Sequence, residues 1–211
     1  TVPLDGTGVY DANGLQFRMR EIPSGDGVDA FLMAETEVTQ ELYQVVMGNN
    51  PSEFSGEGQR PVEMVSWEDA IIFCNTLSEL FGLTPVYQGT DNNATMDESA
   101  NGFRLPFEAE WDWAARGGES FTYAGSDTLD DVAWCRDNSG ETTHPVGQKQ
   151  ANGYGLFDLS GNVWEWANDD YDNPGEYRPS VARRPQKGGS WFNFAARCIV
   201  DNRSWRGPDR R

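Results

Sequence analysis

The chain has 211 residues, enough to bury one sizeable core, and its 23 glycines, 8 tryptophans and 11 phenylalanines suit a loop-rich globular domain packed around aromatics. A formal charge of −18 repels nucleic acid and anionic membrane surfaces, and no apolar run approaches the roughly 20 residues that cross a bilayer. One histidine, His144, and three dispersed cysteines without a CxxC exclude a two-histidine iron site, a structural zinc site and a full disulfide framework.

The chain opens at Thr1 on neither a basic nor an apolar leader segment, which predicts a soluble, already processed protein. Residues 14–38 alternate apolar and polar positions around Phe17, Met19, Ile22, Phe31 and Met33, with Gly25 and Gly27 between, and predict short strands and a hairpin. Thr39 then caps a short helix whose apolar face is Leu42, Tyr43, Val45, Val46 and Met47 and which Gly48 ends. After a turn-rich loop to Pro61, Ser66 opens a second helix with Asp69 three residues on and Ala70, Phe73, Cys74, Leu77, Leu80 and Phe81 at spacings of three or four. Cys74 is read there as a packed thiol. The polar stretch 85–100 predicts a surface excursion, and Glu108 to Arg116 a third helix stopped by Gly117-Gly118. Short irregular pieces follow, and no repeat or linker divides the chain, so residues 1–211 are read as one domain.

In the last third, Gly161 permits a tight turn before Trp164 and Trp166, which a strand would project to one face. Asp158 and Glu165 bracket that turn, and two carboxylates with loop carbonyls between them form the hard-oxygen cluster that Ca²⁺ accepts; the alternative is that both acids cap the turn or face water. Charge is uneven: residues 178–211 hold nine of the sixteen basic residues and only two acids, a net of +7, against −25 for residues 1–177. Two readings stand open, a basic segment docked on the acidic body and a basic recognition face.

Taken in order, Glu37-Val38-Thr39-Gln40, Val46 to Phe54, Pro61 to Trp67, Arg104-Leu105-Pro106, Glu108 to Trp111, Ala114 to Gly118, His144 to Gly147, Gly161 to Trp166 and Gly188-Gly189-Ser190-Trp191 form a recognisable series. From about residue 15 to 211 the chain closely resembles the formylglycine-generating enzyme, or sulfatase-modifying factor, family. The resemblance implies an α+β fold of the C-type lectin type, with two main helices, short antiparallel strands and much irregular structure. It also maps a structural calcium site onto Asp158, Gly161, Val163 and Glu165, the middle two through their carbonyls.

The resemblance does not carry the activity with it. Members that oxidise a sulfatase cysteine hold Cu(I) with two cysteines five residues apart, and those positions fall here on Asn193 and Cys198. An amide oxygen is a poor ligand for so soft an ion, so the expectation is no enzyme and no catalytic cofactor. A non-enzymatic branch fits better: the variable proteins of diversity-generating retroelements, which display a rewritten C-terminal segment on this scaffold. Gly188, Gly189, Ser190, Trp191, Ala195, Cys198, Asn202, Arg203 and Pro208 resemble its fixed framework. The residues between them, Phe192, Asn193, Phe194, Ala196, Arg197, Ser204, Arg206, Gly207 and Arg210, with Trp191 and Trp205 at the border, are the candidate contact surface of segment 188–211. The alternatives are core packing for the aromatics and a solvated face for the arginines. The expected function is non-catalytic binding of a macromolecular ligand, a protein by preference, at the cell surface. A copper-dependent oxidase and a structural assembly subunit are the competing readings.

Overall fold

A computed structural model describes residues 8–211; the leader reading at Thr1 lies outside the described residues. The first strands are β1 (Val9–Ala12), β2 (Leu15–Ile22) and β3 (Phe31–Ala34), an antiparallel sheet with β2 in the middle. Asn13 and Gly14 join β1 to β2 with φ of 53° and 91°, the left-handed pair that a two-residue hairpin requires. The register sets Tyr10 against Phe17 and Ile22 against Phe31. Tyr10 and Phe17 stack with centroids 5.3 Å apart and meet Phe81 and Phe103 edge-on or tilted.

Helix α1 (Gln40–Met47) begins where the Thr39 hydroxyl accepts from Leu42 N and ends at Gly48, left-handed at φ 80°. Helix α2 (Trp67–Leu80) carries a full capping box: the Ser66 hydroxyl accepts from Asp69 N and the Asp69 carboxylate accepts from Ser66 N, each at 3.0 Å. The two helices share a core of Leu42, Tyr43, Trp67, Ile71, Phe73 and Leu77, with Tyr43 and Phe73 stacked and Cys74 buried among them. The stretch 85–100 runs over the surface, as expected, for much of its length: residues 88–91, 93, 95 and 98–99 are exposed. It is anchored as a hairpin of β4 (Tyr87–Gln88) and β5 (Thr95–Met96) whose Val86, Tyr87 and Ala94 enter that core.

Helix α3 (Glu108–Arg116) buries Trp111, Ala114 and Ala115 in a second core with Ile22, Leu156, Leu159 and Val200. Gly117 ends it at φ 61°. The short α4 (Leu129–Val132) follows, and then β6 (Glu165–Trp166), β7 (Arg184–Lys187) and β8 (Ser204–Arg206) form a second antiparallel sheet in that order. The strand expected through Trp164 begins only at Glu165, so the alternation inferred for Trp164 and Trp166 is not set by a ladder. Strand β7 is polar in sequence yet buried throughout. Its Arg184 guanidinium lies 3.9 Å from the Trp67 ring centroid and donates to the carbonyls of Asn168 and Arg178, while Lys187 pairs with Asp112 at 2.7 Å. Arg203 and Arg211 likewise reach Glu108 and Asp69. Part of the basic segment therefore docks on the acidic body, and part does not.

Candidate functional site

The segment after β7 is laid down by two glycines. Gly188 and Gly189 have φ of 88° and 82°, and a Cβ on Gly189 would lie 2.7 Å from the Cys198 sulfur and 2.8 Å from the Arg197 carbonyl. Only glycine lets the loop close over Cys198. Gly161 makes the second close approach: a Cβ there would stand 2.2 Å from the Trp134 carbonyl, while its N–H donates to the Gly188 carbonyl at 2.8 Å. From this tie the loop is held mainly through its backbone. Trp191 N donates to Asn162 O, Arg136 N to Asn193 O and Ser139 Oγ to Trp191 O, at 2.8–3.0 Å. Asn162 is pinned in turn, its amide donating to Glu37 at 2.7 Å and its oxygen accepting from His144 N at 2.9 Å. His144 stacks on Trp134 at 3.8 Å and meets the Ser139 carbonyl at 2.7 Å, so the sole histidine braces the loop's support.

Side chains above that frame point outward. Phe192 and Phe194 are 61 % and 58 % exposed, with Ala196 and Arg197 exposed after them on the 3₁₀ turn Ala195–Arg197. Trp191 and Asn193 are half-buried: Trp191 packs edge-on to Phe54 at 5.0 Å, and the Asn193 amide oxygen accepts from Ser190 Oγ at 2.7 Å. Beneath them Gly188, Gly189, Ser190, Cys198, Val200 and Pro208 are buried. The remaining candidates form a second group on and after β8. Trp205, 47 % exposed, sits 5.2 Å from the Arg183 guanidinium and 6.3 Å from the Tyr171 ring; Arg206 and Arg210 are exposed, and Ser204 and Gly207 half-buried.

The two groups are not contiguous. A cleft of about 1260 Å³ is lined by Trp191, Phe192 and Asn193 of the first group and by Arg206 of the second, together with Trp164, Glu165 and Gln186. Sequence reasoning missed two contributors. Arg136 places its guanidinium 4.5 Å from the Phe194 ring and 5.7 Å from Phe192, and Phe54 backs Trp191. Both lie far from the C-terminal segment in sequence, and no local pattern marks them.

Around the Gly161 turn, three carboxylates gather. Burial, then repulsion from Asp158 and Glu165, holds Glu37 well above the usual carboxylate range; burial lifts Asp158 to about 6 and Glu165 to about 7. Asp158 Oδ2 accepts from Gly147 N, whereas its Oδ1 is buried with no hydrogen-bond partner among the described residues. Glu165 accepts from the Trp111 indole at 2.8 Å. No three His, Cys, Asp or Glu side chains among the described residues are arranged to hold an ion by themselves, so an ion here would draw on backbone oxygen as well. An orphaned buried carboxylate oxygen beside a second inward acid suits a hard cation.

The three thiols are free and buried. Burial pushes Cys74 and Cys198 up to about 12, with the neighbouring Cys135 adding to the effect on Cys198. No helix among the described residues is long and apolar enough to cross a membrane.

Comparison with known proteins agrees with this geometry. The chain aligns with Treponema denticola variable protein 1 at a TM-score of 0.86 and 36 % identity, over 95 % of this chain and 93 % of that one. It is 41 % identical over 198 residues to the protein named chaperone protein LppX of Paenibacillus barcinonensis, covering 77 % of this chain and 70 % of the relative. A formylglycine-generating enzyme of Streptomyces coelicolor is 31 % identical over 186 residues, 75 % of this chain but only 51 % of the enzyme. The chain thus spans about half the length of that enzyme. The mixed α and β architecture with short antiparallel strands is the C-type-lectin-like fold of these proteins. The sulfatase-modifying factor enzyme 1-like domain model matches residues 6–211, and the chain belongs to that family.

Proposed function

We propose that this protein is a non-catalytic, surface-displayed binding protein whose C-terminal segment forms a recognition patch for a macromolecular ligand, most simply another protein. One observation carries the reading: two large apolar side chains, Phe192 and Phe194, are mostly exposed on a loop whose backbone is tied on either side of Phe192, at Trp191 and Asn193, and again through the Phe194 carbonyl. Single exposed apolar residues are ordinary, but a rigid loop that presents two beside an arginine is a contact surface. Its side chains can change without opening cavities, because the packed positions lie beneath them. Likeness to a protein named as variable, and to another named as a chaperone, supports binding over catalysis. The triple variant Phe192→Ser, Phe194→Ser, Arg197→Gln is expected to lose capture of the partners that wild type recovers from the source organism's surroundings, with its thermal midpoint within about 2 °C. Unchanged capture would place the ligand site elsewhere.

A structural Ca²⁺ belongs to the same proposal. Asp158 and Glu165 would hold it through their carboxylates, with carbonyls of Gly161 and Val163, and its charge would relieve the repulsion among three inward acids.

One observation favours the competing oxidase reading: Cys135 lies near enough to Cys198 to raise its pKa, so a second thiol is at hand though not at the family position. Against it, both thiols are enclosed, and the amide of Asn193 is engaged by Ser190. Stoichiometric Cu(I) binding with oxygen-dependent turnover of a cysteine peptide would establish that reading; neither is expected.

A further inference from the structure

We infer that the patch recognises a peptide segment in which an Asp or Glu side chain is flanked by aromatic or aliphatic residues, and that Arg136 is the anchor for the carboxylate. The inference rests on the binding reading above and adds the chemistry of the partner.

The arginine census points there. The chain has 34 acids to 16 bases, so an arginine without a carboxylate is the exception. Arg18, Arg20, Arg60, Arg104, Arg116, Arg178, Arg183, Arg203, Arg210 and Arg211 each lie within 4.0 Å of one. Arg184 is buried and gives its terminal N–H groups to carbonyls rather than to a carboxylate. Those left without an ion pair to an Asp or Glu side chain among the described residues are Arg136, Arg197 and Arg206, all exposed, and of these Arg206 donates to the Arg211 carbonyl. Arg136 touches both exposed phenylalanines, Arg197 ends the turn that follows them, and Arg206 shares the cleft wall with Phe192.

The pose of Arg136 fits one use. Its guanidinium carbon lies 4.5 Å from the Phe194 ring centroid and 5.7 Å from that of Phe192, and a cation held over aromatic rings keeps its N–H groups for a planar acceptor. A carboxylate takes two such bonds side by side, and apolar walls strengthen the pair by shedding water from it. The phenylalanines then bury the partner's neighbouring apolar side chains. A polyanion is disfavoured, because residues 1–177 carry −25 and would repel a long run of negative charge. Arg136 itself lies outside the C-terminal segment, so the charge preference would persist while the residues around it change.

The test is selection of a phage-displayed random dodecapeptide library on the whole protein, followed by affinity measurement with the synthetic consensus peptide. The expected result is enrichment of peptides bearing Asp or Glu next to an aromatic or aliphatic residue. Asp→Asn in the peptide should weaken binding at least tenfold, and that difference should collapse in Arg136→Gln, whose thermal midpoint should match wild type. Peptides that need Phe192 and Phe194 but show no acidic preference, or an Asp/Asn difference that survives in Arg136→Gln, would overturn the inference while leaving the binding reading intact. No enrichment, or peptides indifferent to Phe192→Ser and Phe194→Ser, would overturn both.

Discussion

Phe192 and Trp191 are adjacent aromatics with opposite duties. Trp191 leans on Phe54 and gives its backbone to Asn162 and Ser139, whereas Phe192 stands 61 % exposed. Phe192→Ser and Phe194→Ser should therefore change stability by no more than about 0.5 kcal/mol, while Trp191→Ala should cost about 2 kcal/mol; thermal melts of the three variants check the contrast. In the sequence these aromatics look alike, and core packing for the phenylalanines was an open alternative, because nothing in a residue's own neighbours says which side of an irregular loop it takes. The thiols allow a second prediction. A pKa raised in the folded state means that the native protein keeps a proton the unfolded chain gives up, so Cys74 and Cys198 stabilise the fold least at alkaline pH. That contribution is intact below the ordinary thiol value and is lost as pH climbs toward about 12. At pH 8 all three thiols should ignore a disulfide reagent until denaturant is added; fast labelling of the folded protein would show that a thiol is reachable without unfolding and contradict their burial.

At the scale of elements, the helices were readable because their signals are local. Thr39, Ser66 and Asp69, and the glycines at 48 and 117, all act within one turn of the helix they bound. Ser66→Ala should cost about 1 kcal/mol by removing the cap of α2, measured by chemical denaturation. The β4–β5 hairpin and the support under the recognition loop were not readable, since both depend on partners distant in sequence: Tyr87 on Asn168, Asn193 on Arg136, Trp191 on Asn162. Glycine at 161 carries part of that hidden information. Gly161→Ala would press a methyl group into the Trp134 carbonyl at φ 87°, and the expected loss is about 3 kcal/mol together with disorder of the loop that leans on it. A neutral outcome would mean that the Gly188 tie does not hold the site.

For the molecule as a whole, charge sorts the basic side chains. The acidic body takes up most of its arginines in ion pairs and buries two basic residues of β7 outright, which leaves Arg136 and Arg197 exposed beside the loop and Arg206 exposed at the cleft. The split between segments was legible in the sequence, but which arginines dock and which stay free was not, because that depends on where the 134–139 and 168–178 segments come to rest. Calcium held at the Gly161 turn would link the support of the loop to global stability. Millimolar Ca²⁺ should raise the thermal midpoint relative to a chelator, the stabilisation being about 2.7 kcal/mol at a hundredfold excess over Kd, and Asp158→Asn with Glu165→Gln should abolish the difference. A tolerant contact surface on a fixed frame can be tested by deep sequencing of codons 188–211 in a population grown from one clone of the source organism. Substitutions are expected to cluster at positions 192–194, 196–197 and 204–210 other than Pro208, with Gly188, Gly189, Cys198 and Pro208 unchanged; an invariant stretch, or changes scattered equally over the buried positions, would contradict that arrangement.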